Sequence, residues 1–469
     1  MKKKIKFFNI RNLLIFSGII ICYLSSIDTL KKYDRYEINN EGVLTHQIIK
    51  SDIQAAWNTA EEFRFKIENG ENFFSSLPSY ERYFLPAVIV GSYYVLIDKE
   101  IFDKDSNENK ILLKNYKFGI LIIQIFLYYF ILLFISNLLE KKFGVKYSTL
   151  VILFLSIEPT IIQWHSSFWS ESFFLSLMLL SIYFLLKIRL NSIFSPLLLG
   201  FTLALLFLQK TIAFLYIFSF FIFLILKFKS KLKPVILLTF SFILFMSLII
   251  TNNYFKTGNL FLISSQHQYF SYYYYFSHKI ISDKKNISEE EARALLIEKE
   301  NQWKSKNNIN LDLEKDYFKN IEYRNKEFLK HFFSNPFFTI KLFIKKTITM
   351  SILSPTWVKD WYDIDPSSIE AKNNPKEYYN KNLNRNIYYS ILFYVLVIIS
   401  VLRFAKILKK NNYHFNELTN FLSFNFLSII YIILIAGFWG NPKYFVPCIV
   451  NLTFIIAAGF QDKKIVYFR

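Results

Sequence analysis

Long apolar runs separated by short basic loops dominate this chain. Phe118 to Ser136, Phe194 to Leu208, Thr211 to Phe228 and Pro234 to Thr251 are almost uninterrupted stretches of Phe, Leu, Ile and Val. Each approaches the roughly 20 residues that a helix needs to cross about 30 Å of hydrocarbon. Strands are excluded by the length of the runs and by the missing alternation of apolar and polar positions. The pattern predicts an all-α polytopic membrane protein, with spans near 12–27, 117–138, 148–163, 170–187, 194–209, 211–228, 235–251, 387–404, 417–438 and 443–459. The basic stretch before residue 12 and the apolar run after it fit an uncleaved signal anchor, because no small-residue cleavage site follows.

Between these runs lie two long polar segments, about 28–116 and 252–386. In the first, Ser51-Asp52-Ile53-Gln54 has the spacing of a helix-capping box, and Ile53, Ala56, Trp57, Ala60, Phe63 and Ile67 recur at helical spacing. This predicts an amphipathic helix in the membrane interface. In the second, Ser288 to Glu291 forms another capping box that opens a charged helix toward Trp303. Residues Phe337 to Leu353 are apolar but carry Lys341, Lys345 and Lys346, which predicts a juxtamembrane or re-entrant helix.

Composition agrees with the pattern: 53% of residues are hydrophobic, 19% are aromatic and the mean hydropathy is +0.26, beyond what a soluble domain of this length carries. The net charge of +20 does not read as a nucleic-acid surface, because the Lys and Arg residues cluster in short loops. Those clusters are Glu140-Lys141-Lys142, Lys187 to Arg189, Lys227 to Lys233, Lys406 to Lys410 and Lys463-Lys464. All five share the N-terminal side of the membrane in the ten-span register, so the positive-inside rule assigns that side to the cytoplasm and both long segments to the other. The two cysteines, Cys22 and Cys448, fall within expected spans and offer no disulfide framework.

The ionisable residues near the span ends gather on the non-cytoplasmic side of this register: Glu158, His165, Glu171, Lys210 and Lys443, joined by Asp52, Glu81 and Arg82 from the first long segment. Charges at the bilayer centre, which mark ion pathways in transporters, are few. A sugar on a lipid phosphate leaves as an anion and calls for cations, and the attacking hydroxyl calls for a carboxylate base. Both kinds of residue are present. Asp52 suits the base, although a carboxylate at a first helical turn is also favoured by the helix dipole with no role in chemistry. No metal-ligand spacing is evident, and a lone His beside Trp164 reads equally as an interfacial residue. The aromatic run Tyr269 to Phe276 fits either a sugar-stacking face or an interfacial belt.

The order of these features resembles the GT-C superfamily of glycosyltransferases, in particular its aminoarabinose transferase and protein O-mannosyltransferase branch. The similar segments are Asp52 to Trp57, Tyr80-Glu81-Arg82-Tyr83-Phe84-Leu85-Pro86, Glu158-Pro159 with Trp169-Ser170-Glu171, Gly200 to Lys210, and Asn441-Pro442-Lys443-Tyr444-Phe445-Val446-Pro447. The resemblance implies a membrane glycosyltransferase of a bacterial inner membrane, with its active site facing the periplasm or cell exterior. It implies Asp52, Glu81 and Glu171 as catalytic carboxylates, and Arg82, His165, Lys210, Lys443 and Tyr444 as substrate contacts. The expected donor is a polyprenyl-phosphate sugar and the acceptor a glycan, lipid or protein; no nucleic acid is expected. A divalent cation among Asp52, Glu81 and Glu171 is compatible with this set but not required by it. An O-antigen polymerase or ligase, and a flippase for lipid-linked saccharides, are the competing readings.

Overall fold

The computed structural model describes residues 10–33, 36–38, 44–46, 52–78, 84–97, 107–166, 170–210, 213–228, 232–257, 273–310, 314–353, 391–406, 417–436 and 445–460. The chain opens with α1 (Ile10–Tyr33), followed by an antiparallel pair, β1 (Tyr36–Ile38) and β2 (Leu44–His46). Next come α2 (Asp52–Glu68), α3 (Phe73–Ser76), α4 (Phe84–Ile97) and the long α5 (Asn107–Phe143). They lead into α6 (Val145–Ile157), α7 (Pro159–His165), α8 (Ser170–Lys187), α9 (Phe194–Gln209), α10 (Ala213–Phe228) and α11 (Lys233–Thr257).

A π-turn at Tyr273–Ser277 then begins a second helical group: α12 (His278–Lys285), α13 (Glu289–Lys306), α14 (Glu314–Ser334) and α15 (Pro336–Leu353). The described chain closes with α16 (391–406), α17 (Glu417–Ala436) and α18 (Val446–Gly459).

Among the described residues, four helical stretches are long and apolar enough to cross a membrane: Ile10–Ile27, Gly119–Phe143, Lys233–Phe255 and Glu417–Leu434. A fifth is added if α6 and α7, bent by 55° at Glu158, count as one broken span. This is the makeup of an all-α membrane protein. Helix runs through the described part of each expected span, with a break at Glu158 in the third, but α9 and α10 have 16 residues each and α18 has 14. At 1.5 Å per residue they reach only about 21–24 Å, short of the roughly 30 Å hydrocarbon core.

The bend at Glu158 departs from the continuous 148–163 helix that the hydropathy predicts. Pro159 supplies no N–H and cannot continue the α6 ladder, whereas it suits the first position of a new helix. Glu158 caps that helix by accepting the Ile161 N–H at 2.8 Å. The side chain expected at the outer surface is thereby buried.

Side-chain bonds define one end of the bundle. Arg11, buried in α1, donates to the Glu140 carboxylate, to the Ser148 hydroxyl at 3.2 Å and to Ser136. Lys142 and Lys227 converge on Glu417 at 2.6 and 3.2 Å, and Lys227 also reaches the Ile188 carbonyl at 3.3 Å. The starts of α1 and α17 and the finishes of α5, α8 and α10 therefore lie together. Of the basic clusters that sequence assigns to a single side, those around Lys142, Ile188 and Lys227 share an end.

Close backbone approach holds two further pairs. A methyl group at Gly91 of α4 would sit 2.8 Å from the Ala60 carbonyl oxygen of α2. Ala60 and Phe63, on the apolar stripe read from sequence, are buried there, so that part of the stripe meets a helix rather than lipid. At Gly200 of α9 the methyl group would lie 2.3 Å from the Leu238 carbonyl oxygen of α11 and 3.0 Å from the Phe242 nitrogen. Both obstacles are backbone, so Gly200→Ala must separate the helices, at a cost of about 1–3 kcal/mol. A lowered thermal midpoint in detergent is the expected result, and an unchanged midpoint would contradict this contact.

Candidate functional site

Of the candidate residues, Glu158, His165 and Lys210 have described side chains, at the ends of α6, α7 and α9. Lys210 caps α9 in extended conformation: its N–H donates to the Leu206 carbonyl at 3.1 Å and its carbonyl accepts from Ala213 at 3.0 Å. This tight turn into α10 leaves the half-buried Lys210 side chain at the helix end, as the sequence predicts. Asp52 is the first residue of α2, and Glu171 the second residue of α8. α2 packs on α4, and α4 packs on α9, so the helix headed by Asp52 and the helix capped by Lys210 belong to one connected layer. The side chains of Asp52 and Glu171, and all of Ser51, Glu81, Arg82, Lys443 and Tyr444, lie outside the described residues.

His165 departs from expectation. Sequence places it at the surface, whereas it is fully buried at the end of α7. Its ring lies against Tyr128, with centroids 3.9 Å apart, and its Nδ1 is 2.6 Å from the Ser172 hydroxyl of α8. Gln124 of α5 donates to the His165 carbonyl at 2.9 Å, and Ser25 of α1 donates to the Ser166 hydroxyl at 3.0 Å. Tyr128 and Tyr129 donate to the carbonyls of Leu155 and Ser156, at 2.9 and 2.8 Å, in the last turn of α6 that the Glu158 break leaves unpaired. The cluster thus anchors the bend. Any substrate contact by His165 must use Nε2, which has no hydrogen-bond partner among the described residues. Gln124, Tyr128 and Ser172 were not anticipated, although a Gln and a Tyr inside an apolar run are the signal that marks them.

A second polar centre lies in the group formed by α12 to α15. Glu300, fully buried, accepts from Arg324 through both oxygens at 2.7 and 3.0 Å, from Lys304 at 2.8 Å and from the Tyr274 hydroxyl. Burial by itself would raise its pKa, but the bonds from Arg324, Lys304 and Tyr274 win and hold it at about 2. Tyr273, Tyr274 and Phe276 are buried in the core of this group, and Trp303 stacks on Tyr323 with centroids 4.4 Å apart. Tyr273, Tyr274 and Phe276 are therefore part of neither a sugar platform nor an interfacial belt. The Ser288 capping box forms as the sequence predicts: the Ser288 hydroxyl accepts the Glu291 N–H at 3.1 Å, and the Glu291 carboxylate accepts the Ser288 N–H at 2.9 Å.

These groups make the helical unit acid-sensitive. His278 and His331 are held below the usual imidazole range by burial, so the unfolded chain takes up their protons first and stability falls as pH drops through about 6.5. Glu300, with its folded pKa depressed, adds stability above the unfolded value of about 4.3, which is lost as pH falls toward about 2. Amide exchange in α13 and α14, corrected for intrinsic rates, should show protection that is constant from pH 8 to 7 and then declines in two stages. Protection unchanged down to pH 4 would contradict the histidine contribution.

Among the described residues no three His, Cys, Asp or Glu side chains converge as a metal site requires. The set considered for a cation, Asp52, Glu81 and Glu171, has no described side chain. No protein-family model matches the chain, and no curated protein matches it.

Proposed function

We propose that this protein is a polytopic glycosyltransferase that moves a sugar from a polyprenyl-phosphate donor to a hydroxyl or amine acceptor, at the non-cytoplasmic face of a bacterial inner membrane. One observation carries the reading: α2, which Asp52 begins, packs on α4, and α4 packs on α9, which Lys210 caps. An acid and a cation on connected helices are what transfer from a lipid phosphate calls for, and the basic end defined by Arg11, Lys142 and Lys227 supports a cytoplasmic assignment for that side. The ten-span topology belongs to this proposal.

In the reaction, the acceptor oxygen attacks the sugar's anomeric carbon while Asp52 takes the acceptor proton. The bond from that carbon to the phosphate oxygen breaks, and polyprenyl phosphate departs with the electron pair. Lys210, Arg82 and Lys443 hold the phosphate and offset its charge, Glu81 and Glu171 orient the sugar or acceptor, and Tyr444 packs at the interface. A single displacement inverts the anomeric configuration.

The test uses purified protein in liposomes loaded with the lipid-linked sugar fraction from cells lacking it, together with envelope glycans from those cells. Loss of one lipid-linked sugar, with release of free polyprenyl phosphate, is the expected outcome. Movement of the intact lipid-linked sugar between leaflets would replace the reading with a flippase, and growth of glycan chains from diphosphate-linked units would replace it with a polymerase. Lys210→Ala should raise the KM for the donor by roughly tenfold to a hundredfold, the worth of a charge-assisted phosphate contact, with kcat less affected. An unchanged KM would remove Lys210 from the phosphate site.

A further inference from the structure

The helix α15 has two apolar faces, and the structure accounts for only one. Phe338 and Leu342 pack against the core formed by Phe276, Ile280 and Phe328, and Thr339 and Met350 are buried. On the opposite side Phe337 is 86% exposed, Ile340 55%, Ile344 52% and Ile348 53%. At 100° per residue these four occupy an arc of about 80°, a continuous stripe about 17 Å long. Lys341 and Lys345 fall along one edge of that stripe, whereas Lys346 lies on the far side, within electrostatic range of Lys279 and Glu289.

Such a stripe is costly in water and calls for an occupant. Two observations identify it. The end of α15 is tied to the membrane bundle: the Tyr394 hydroxyl of α16 donates to the Ser351 carbonyl at 3.3 Å, and Met350 belongs to the main bundle core. Lysines flanking an exposed apolar stripe have the arrangement of helices that lie in a bilayer surface, with aliphatic stems along the acyl boundary and ammonium groups among phosphates.

We infer that α15 lies in the plane of the membrane, with Phe337, Ile340, Ile344 and Ile348 inserted in the leaflet and Lys341 and Lys345 recognising anionic lipid headgroups. The α12 to α15 unit is then held against the bilayer by this helix, whatever reaction the protein catalyses. The inference does not rest on the transferase reading.

Cysteine substitution with a spin label tests it in the full-length protein, because Cys22 and Cys448 are buried. Ile344→Cys, and Glu290→Cys as an aqueous reference on α13, are placed in nanodiscs of phosphatidylcholine with or without phosphatidylglycerol. The label at 344 should be reached by oxygen and shielded from a water-soluble nickel chelate, with a depth of about 5–10 Å below the headgroups. It should lie deeper when phosphatidylglycerol is present, and Lys341→Gln with Lys345→Gln should remove that difference. Chelate access at 344 equal to that at 290 would overturn the inference, and so would shielding from both reagents, which would mean a protein partner covers the stripe. A depth indifferent to phosphatidylglycerol would overturn the anionic-lipid assignment.

Discussion

Asp52→Asn should lower the transfer rate by roughly 10²- to 10⁴-fold, the usual contribution of a positioned general base, while the protein inserts and folds normally. The substitution separates chemistry from structure. Asp52 begins α2, where its charge is favoured by the helix dipole. Asn keeps the size of the side chain and loses only that dipole contribution, about 0.3–1 kcal/mol, yet it cannot accept a proton from the acceptor. A thermal midpoint close to wild type together with the lost turnover is the expected pair of results. Near-normal turnover would leave Asp52 with the helix-dipole role alone.

The largest expected effect on stability belongs to Glu300. Replacing it with Ala leaves Arg324 and Lys304, whose side chains are only 12% and 20% exposed, without their shared carboxylate. Removing one partner of a buried pair costs about 3–5 kcal/mol, mostly from the desolvated charge left behind. Tyr274 loses its acceptor as well. Because the pair itself need not stabilise more than apolar side chains would, Glu300→Leu combined with Arg324→Met should recover most of the loss. Hydrogen exchange in α13 and α14 of the full-length protein reads both variants. Equal protection in Glu300→Ala and wild type would show that the network contributes little.

Local rules carried much of the helical layout. Apolar runs located the stretches that form α1, α5, α8 to α11, α17 and α18, and spacing alone marked Ala60 and Phe63 as part of an apolar stripe and Ser288 to Glu291 as a cap. The basic clusters foretold the shared end where Lys142 and Lys227 meet Glu417.

What sequence could not show depends on partners far along the chain. Whether Tyr273 and Tyr274 meet lipid, sugar or protein is decided by Leu296 and Glu300, more than 20 positions away. The burial of His165 is decided by Tyr128 of α5 and by the bend at Glu158, which a hydropathy window averages away. The second apolar face of α15 was hidden for a related reason: an apolar helix interrupted by lysines does not reveal which face another helix covers. Of the residues proposed for the site, Lys210 ends its helix where the register puts it, whereas Glu158 and His165 are buried and the side chains of Asp52, Glu81, Arg82, Glu171, Lys443 and Tyr444 lie outside the described residues.

The most direct test of the central claim is mass spectrometry of lipid-linked sugars and surface glycans from cells lacking this protein, restored with wild type or with Asp52→Asn. The account predicts that wild type alone restores a missing sugar, while its polyprenyl-phosphate donor accumulates in cells carrying the Asn variant. Full restoration by the Asn variant, or no change in any lipid-linked sugar when the protein is absent, would contradict it.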